Sequence, residues 1–308
     1  MKKLMGALLA ALCVLALLPR TAGAVELPLT SRAALLMEKT TGEILFAQNE
    51  HEALEPASVT KIMTLLLTME AIDSGRIALA DVVTVSAYAA GMGGSQVFLA
   101  EGEQITVDDL LKGVCVSSGN DAAVALAEHV AGVTELFVEQ MNNRARELGM
   151  KDTHFVNCTG LTAEGHVTSA YDIALMSREL LRCHPDITHF TSIWMDTVRN
   201  GQFGLSNTNK LVRFYDGTTG LKTGYTDEAG RCLLASAIKD GRRLISVVLG
   251  CTTKEVNGET RLMNFVDSAT LLDWGYNNFT VQTVFTKDDL IQEIPVLLSK
   301  ETNAVLVH

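Results

Sequence analysis

The chain has 308 residues, 47% of them hydrophobic, with a formal net charge of −11. That is ample material for one large apolar core with a small appendage, and the acidic balance sets nucleic acid aside as a partner. Six cysteines without a Cys-x-x-Cys pair imply neither a disulfide framework nor a zinc knuckle, and the seven histidines include no His-Glu-x-x-His spacing, so no metal or other cofactor is expected.

Residues 1–24 lie outside the expected fold. Lys2 and Lys3 precede an apolar run from Leu4 to Leu18, and the small residues Ala22-Gly23-Ala24 follow Pro19, the layout of a cleavable secretory signal. The competing reading, an uncleaved anchor, is disfavoured because the run is shorter than the ~20 residues a span needs. Cys13 follows Leu12 rather than a small residue, which does not fit a lipoprotein signal. Removing three positive charges (Lys2, Lys3, Arg20) and no acid takes the net charge from −11 to −14 and leaves five cysteines, most of them expected to be buried, inert thiols.

From Ala33 to Phe46 two apolar runs flank a Lys-Thr-Thr-Gly turn and predict a strand hairpin. Next comes Glu55-Pro-Ala-Ser-Val-Thr-Lys-Ile-Met-Thr-Leu65, read as a turn at Pro56 followed by the first turn of a helix. Its continuation is apolar on nearly every face, the mark of a buried helix. Ser58 and Lys61, three residues apart, then share a face, where an amine can take a hydroxyl's proton. Ser-x-x-Lys is a weak pattern, and taken alone it is better explained by a cap serine beside a solvated lysine. A second copy, Ser236 to Lys239, lies in a predicted strand, where residues three apart face opposite ways.

Beyond Val82–Ser86, the glycine-rich stretch Gly91–Ser95 is read as a loop, with no nucleotide-binding glycine pattern. Thr106-Val-Asp-Asp109 resembles a helix cap with acids in the first turn, and that helix should end in Ser117-Ser118-Gly119-Asn120, with Gly119 permitting a sharp turn before the next helix, Asp121 to about Val130. Further helices are expected at Val133–Leu148 and Ser169–Cys183, separated by a loop at Asn157–Leu161. After Pro185 strands take over. Gly217–Gly220 is read as a turn, Lys222-Thr223-Gly224-Tyr225 as the start of a strand, and Cys232–Ile238 with Leu244–Leu249 as a hairpin. Gly224 would let a substrate pair closely with the strand edge.

Ser58-x-x-Lys61, Ser118-x-Asn120 and Lys222-Thr223-Gly224 thus occur in order on a helix start, an interhelical loop and a strand. The chain resembles the penicillin-recognising serine enzymes, which carry such a motif trio, and within them the low-molecular-mass D-alanyl-D-alanine carboxypeptidases (peptidase family S11), over roughly residues 28–280. Glu-Pro-Ala-Ser-Val-Thr-Lys-Ile-Met-Thr, Ser-Gly-Asn-Asp-Ala-Ala-Val-Ala-Leu-Ala-Glu and Gly-Leu-Lys-Thr-Gly-Tyr-Thr carry the likeness. The resemblance implies an α/β fold of α+β type, a mostly antiparallel sheet flanked by helices, with a helical lobe between the second and third motifs and the cleft between lobes. It implies that Ser58 attacks the carbonyl between two D-alanines, with Lys61 as base, Ser118 as proton relay and Asn120 holding the peptide and the lysine. Lys222 and Thr223 would bind the terminal carboxylate, and the backbone N–H groups of Ser58 and Tyr225 would form the oxyanion hole. The implied partners are a peptidoglycan stem peptide ending in D-Ala-D-Ala and, as covalent inhibitors, β-lactams.

Two departures stand out. Asn157-Cys158-Thr159-Gly160-Leu161 occupies the place of Asn-Pro-His-Gly-Leu in many relatives, leaving Cys158 without a role. Relatives often continue into a small β domain and an amphipathic membrane helix, whereas after Trp274-Gly-Tyr276 only a short segment remains. The expected organisation is a signal at 1–24, a catalytic domain at 25–278 and a partial or truncated β-rich segment at 279–308, with no C-terminal anchor and membrane association left open. A β-lactamase and a non-catalytic penicillin- or wall-binding module are the alternatives. The first needs a glutamate holding water, for which Glu164 lacks a partner; the second needs no intact set of Ser58, Lys61, Ser118 and Lys222.

Overall fold

The structure, a computed structural model, describes residues 26–256 and 258–282 and two short strands at Gln292–Pro295 and Ala304–Val307 that pair antiparallel. The expected signal, 1–24, lies outside the described residues. No helix among the described residues is long and apolar enough to cross a membrane.

The predicted hairpin is present as β1 (Ala33–Glu38) and β2 (Ile44–Gln48). With β3 (Thr218–Thr226), β4 (Gly230–Lys239) and β5 (Arg242–Cys251) it makes a five-stranded antiparallel sheet in the order β2-β1-β5-β4-β3. β1 is buried at every position, and the reason is coverage on both faces. Ala33, Leu35, Met37, Ile245, Val247 and Leu249 point into the larger core under the helical lobe, while Ala34, Leu36, Leu244 and Val248 meet the helix Met263–Asn278 on the other face. Ser236 and Lys239 lie in β4, as the strand reading required.

The helical lobe is built from α1 (Lys61–Asp73), α2 (Val107–Ser117), α3 (Asn120–Ala131), α4 (Thr134–Glu147) and α5 (Ala170–Cys183). It begins with the first motif rather than after the second, so helices surround α1 on several sides. That is why Ile62, Met63, Leu65, Leu66, Leu67 and Met69 are all buried, each such side chain contributing about 1.5–3 kcal/mol. The predicted caps are made: Thr106 Oγ1 accepts from Asp109 N at 3.1 Å and Ser169 Oγ from Asp172 N at 3.2 Å. Arg144 on α4 joins Glu70 of α1 (2.8 Å) to Glu179 of α5 (2.9 Å), pinning three helices at one point. Four of the five described cysteines are buried and all five are free thiols; Cys183 is exposed.

On the opposite face, α6 (Met263–Asn278) sits close to the sheet because Gly275 has no side chain: a Cβ there would lie 2.6 Å from Leu36 Cδ2 and 2.8 Å from Leu244 Cδ1. Gly275→Val is therefore expected to overpack this face, with a loss of about 1–3 kcal/mol in urea unfolding and unchanged specific activity of the folded fraction, since the site lies on the far side of the sheet.

Candidate active site

Ser58 sits in a single 3-10 turn, Ala57–Thr60, that runs straight into α1. The expected α-helical first turn is this tighter turn, whose i to i+3 geometry stacks Ser58 directly above Lys61. The turn is entered through Ala57 at φ +47°, a left-handed conformation that costs a non-glycine residue on the order of 1 kcal/mol. Lys61 is completely buried, and its Nζ lies 2.8 Å from Ser58 Oγ, 2.6 Å from Asn120 Oδ1 and 2.7 Å from the Thr159 carbonyl oxygen.

Burial, and then the positive charge of Lys222, hold Lys61 well below the usual lysine range. A neutral amine has two N–H donors and one lone pair. Asn120 Oδ1 and the Thr159 carbonyl can only accept, so they take the two donors. The lone pair is left for Ser58, the one neighbour of the three with a proton to give. With the amine neutral, this arrangement can receive a proton from the serine hydroxyl.

The second motif closes α2 and opens α3. Ser118, not Gly119, takes the left-handed conformation (φ +62°) at the end of α2, and Gly119 has negative φ. Gly119 is constrained by space instead, since a Cβ there would lie 2.8 Å from the Asp121 carboxylate. Ser118 is nearly buried. Asn120 donates from Nδ2 to the Gly93 carbonyl at 2.7 Å, and buried Asp121 accepts from Val97 N and Leu99 N at 3.0 Å each. The glycine-rich stretch is therefore a loop, as expected, and it is fastened onto the second motif.

The third motif lies in the middle of β3, which begins at Thr218 rather than after Gly220 and forms the free edge of the sheet. Lys222 is buried, donates to the Thr223 carbonyl at 3.0 Å, and is pushed down to about 7 by desolvation. Thr223 Oγ1 donates to Thr208 Oγ1 at 2.7 Å, and Thr208 N donates to the Val116 carbonyl at 3.1 Å, which ties the edge strand to the end of α2. At Gly224 a close approach comes from within the chain itself. A Cβ at 224 would lie 2.9 Å from the Pro56 carbonyl oxygen and 3.2 Å from Ser58 N, so it is the serine's own turn that packs against the strand here. Tyr225 is 56% exposed, with Arg231 over its ring and its hydroxyl bonded to Asp227 at 2.8 Å.

Sequence reasoning missed the backbone that completes the lysine's shell. Asn157 Oδ1 accepts from Thr159 N (3.1 Å), Thr159 Oγ1 (3.1 Å) and Gly160 N (2.7 Å), an Asx-type turn that presents the Thr159 carbonyl to Lys61. The Asn-x-x-Gly spacing was the available signal. Cys158 is buried with its thiol pushed up to about 12, and it contributes only its carbonyl, to Thr64 Oγ1 at 2.7 Å. Glu164 is exposed. At Gly160 (φ +83°) a Cβ would fall 1.8 Å from the Ala57 carbonyl oxygen. Gly160→Ala is accordingly expected to push the loop off the serine's turn, lowering stability by about 2 kcal/mol or more and slowing covalent labelling of Ser58 by a fluorescent penicillin at least tenfold, both measurable on the purified variant.

The comparisons with known proteins agree with this geometry. The sequence profile described as D-alanyl-D-alanine carboxypeptidase (peptidase S11) matches residues 20–253. D-alanyl-D-alanine carboxypeptidase DacF of Bacillus subtilis (strain 168) is 46% identical over 280 residues, 90% of this chain and 70% of its own. DacD of Escherichia coli (strain K12) is 44% identical over 80% of this chain, which spans 63% of DacD. The crystal structure of penicillin binding protein 5 from Haemophilus influenzae superposes with a TM-score of 0.83 at 35% identity, covering 92% of this chain and 81% of that one. With the motif trio gathered about one buried lysine and the family profile spanning most of its length, the chain belongs to the D-alanyl-D-alanine carboxypeptidase family, peptidase S11.

Proposed function

We propose that the chain is a serine-type D-alanyl-D-alanine carboxypeptidase that removes the terminal D-alanine from peptidoglycan stem pentapeptides. The observation that carries the reading is the buried amine of Lys61, whose two acceptor-only partners leave its lone pair for the Ser58 hydroxyl 2.8 Å away. Ser58 Oγ attacks the carbonyl carbon between the two D-alanines as Lys61 takes the hydroxyl proton. The developing oxyanion is received by the backbone N–H groups of Ser58 and Tyr225, a contribution of about 3 kcal/mol per donor. Ser118 passes a proton to the leaving nitrogen, the C–N bond breaks, and free D-alanine departs. Water then attacks the ester and restores Ser58. Lys222 and Thr223 hold the substrate's terminal carboxylate, and Asn120 orients the peptide while it fixes Lys61.

β-Lactams follow the same first step, but their leaving nitrogen remains tethered by the opened ring, so the acyl-enzyme persists and they act as covalent inhibitors. A β-lactamase reading lacks its water-holding acid, because Glu164 is exposed and makes no hydrogen bond to the site among the described residues. The proposal includes export by a signal at 1–24, action on the outer side of the cytoplasmic membrane, a catalytic domain at 25–278 and a β-rich segment at 279–308.

The test is free D-alanine release from a peptide ending in D-Ala-D-Ala, measured beside penicillin hydrolysis by the same preparation. D-alanine with slow penicillin turnover supports the reading, and rapid penicillin hydrolysis without D-alanine overturns it in favour of a β-lactamase. Ser58→Ala is expected to abolish both D-alanine release and penicillin labelling. Lys222→Ala should weaken capture of carboxylate-terminated peptides more than amidated ones; equal loss on both would remove its assigned role.

The pH profile follows from the two lysines. Activity needs Lys61 neutral and Lys222 charged, so kcat/KM should fall on the acid side as Lys61 gains a proton and on the alkaline side as Lys222 loses one near pH 7. Stability runs the other way on the alkaline side. Lys222 releases its proton near 7 in the native state and near 10.5 in the unfolded chain. The unfolded chain holds more protons between those values, so urea stability should rise with pH across that window.

A further inference from the structure

Thr60 lies between the nucleophile and its base in sequence and is wholly buried, yet the reaction as derived gives it nothing to do. Its hydroxyl is 2.8 Å from Nε2 of His166, a residue also buried. The other ring nitrogen, Nδ1, accepts from the backbone N–H of Val156 at 2.9 Å. A nitrogen that accepts a backbone N–H carries no proton of its own, so the ring proton is on Nε2 and is donated to Thr60 Oγ1. Burial, with a smaller contribution from His154, pushes the ring down to about 4, which keeps this neutral tautomer at working pH. The ring packs 5.9 Å from Phe155.

What the imidazole joins is informative. On one side is the 3-10 turn that carries Ser58 and leads into Lys61. On the other is the loop 156–166, whose Thr159 carbonyl accepts from Lys61 and whose Gly160 presses on Ala57. The same two stretches are stapled a second time, where Leu54 and Thr168 exchange backbone hydrogen bonds at 2.8 and 2.9 Å. The Leu54 staple sits before Ser58 in the chain and the His166 staple after it, so the serine's turn is clamped at both ends to the loop that completes the lysine's shell. Without the second clamp the Thr159 carbonyl and Ser58 Oγ would be free to drift apart, and Lys61 would lose the arrangement that aims its lone pair.

We propose that His166 is a positioning residue for acylation: its imidazole, donating to Thr60 and accepting from Val156, holds the Ser58 turn and the Thr159 carbonyl in one frame about Lys61. The inference rests on Ser58 and Lys61 acting as nucleophile and base. His166 touches neither of them nor the substrate's carboxylate site, so its removal should lower kcat and leave KM nearly unchanged.

The experiment compares the full chain with His166→Leu, His166→Gln, Thr60→Val and the double variant His166→Leu/Thr60→Val. It measures kcat and KM for D-alanine release, the second-order rate of penicillin labelling, and thermal unfolding. His166→Leu and Thr60→Val are each expected to lower kcat and the labelling rate about tenfold, the scale of one lost hydrogen bond, with KM within twofold. The double variant should be no slower than His166→Leu by more than about twofold, because both changes delete the same bond. Glutamine, which can still donate to Thr60, should recover to within about threefold of the native enzyme. The idea is overturned if folded Thr60→Val keeps the native kcat, if the two losses multiply, if the change falls on KM, or if glutamine is as slow as leucine. Should the leucine variant fail to fold, Thr60→Val and His166→Gln still decide the matter. A native protein that neither labels at Ser58 nor releases D-alanine would instead overturn the carboxypeptidase reading, a separate result.

Discussion

The structure turns on one buried amine. A lysine placed out of contact with water faces a desolvation penalty of several kcal/mol if it keeps its charge, and the least costly escape is to give up the proton. Lys61 has that pressure from burial, and Lys222, buried nearby in the edge strand, adds repulsion. A neutral amine is useful only if its lone pair points at the nucleophile. The two acceptor-only oxygens, one from the α2–α3 connection and one from the loop at Asn157–Leu161, enforce that orientation. Three separate stretches of chain must therefore be brought within 3 Å of a single nitrogen.

Much of the architecture can be understood as the scaffolding for that convergence. The five-stranded sheet offers β3 as a free edge, and Gly224 lets the Ser58 turn lie directly against it. The helices hold α1 from several sides, so its first residue cannot shift without moving a packed core. Asn120 donates to Gly93 of the glycine-rich loop, Asp121 accepts from Val97 and Leu99 just beyond it, and Thr208 fastens the edge strand to α2. Two of the non-glycine residues with positive φ, Ala57 and Ser118, lie here. Strain of this kind persists only where the surroundings over-determine it.

The limits of the linear text lay in space rather than in chemistry. A glycine in an edge strand such as Gly224 has no local demand that says what will approach it, and the backbone from Pro56 to Ser58, which lies against it, comes from far earlier in the chain. Glycine's tolerance of left-handed backbone makes Gly119 the expected turn-maker, yet Ser118 adopts that conformation, and what requires glycine at 119 is the carboxylate of Asp121. The Thr159 carbonyl could not be seen at all. A backbone oxygen has no residue type, and only folding reveals which one meets the lysine.

By itself the sequence determined the element types, the two-sided burial announced by unbroken apolar runs, and the three motifs. These follow from short-range rules: the period of a strand, the apolar surround of a buried helix, the preference of threonine and serine for helix caps. The tertiary structure alone decided which oxygens surround Lys61, what lies against each constrained glycine, and that the His166 ring meets Thr60. The contacts of Lys61 with Asn120 and Thr159 and of Thr60 with His166 join residues 59, 98 and 106 positions apart, and the sequence does not carry such distances until the chain has closed on itself.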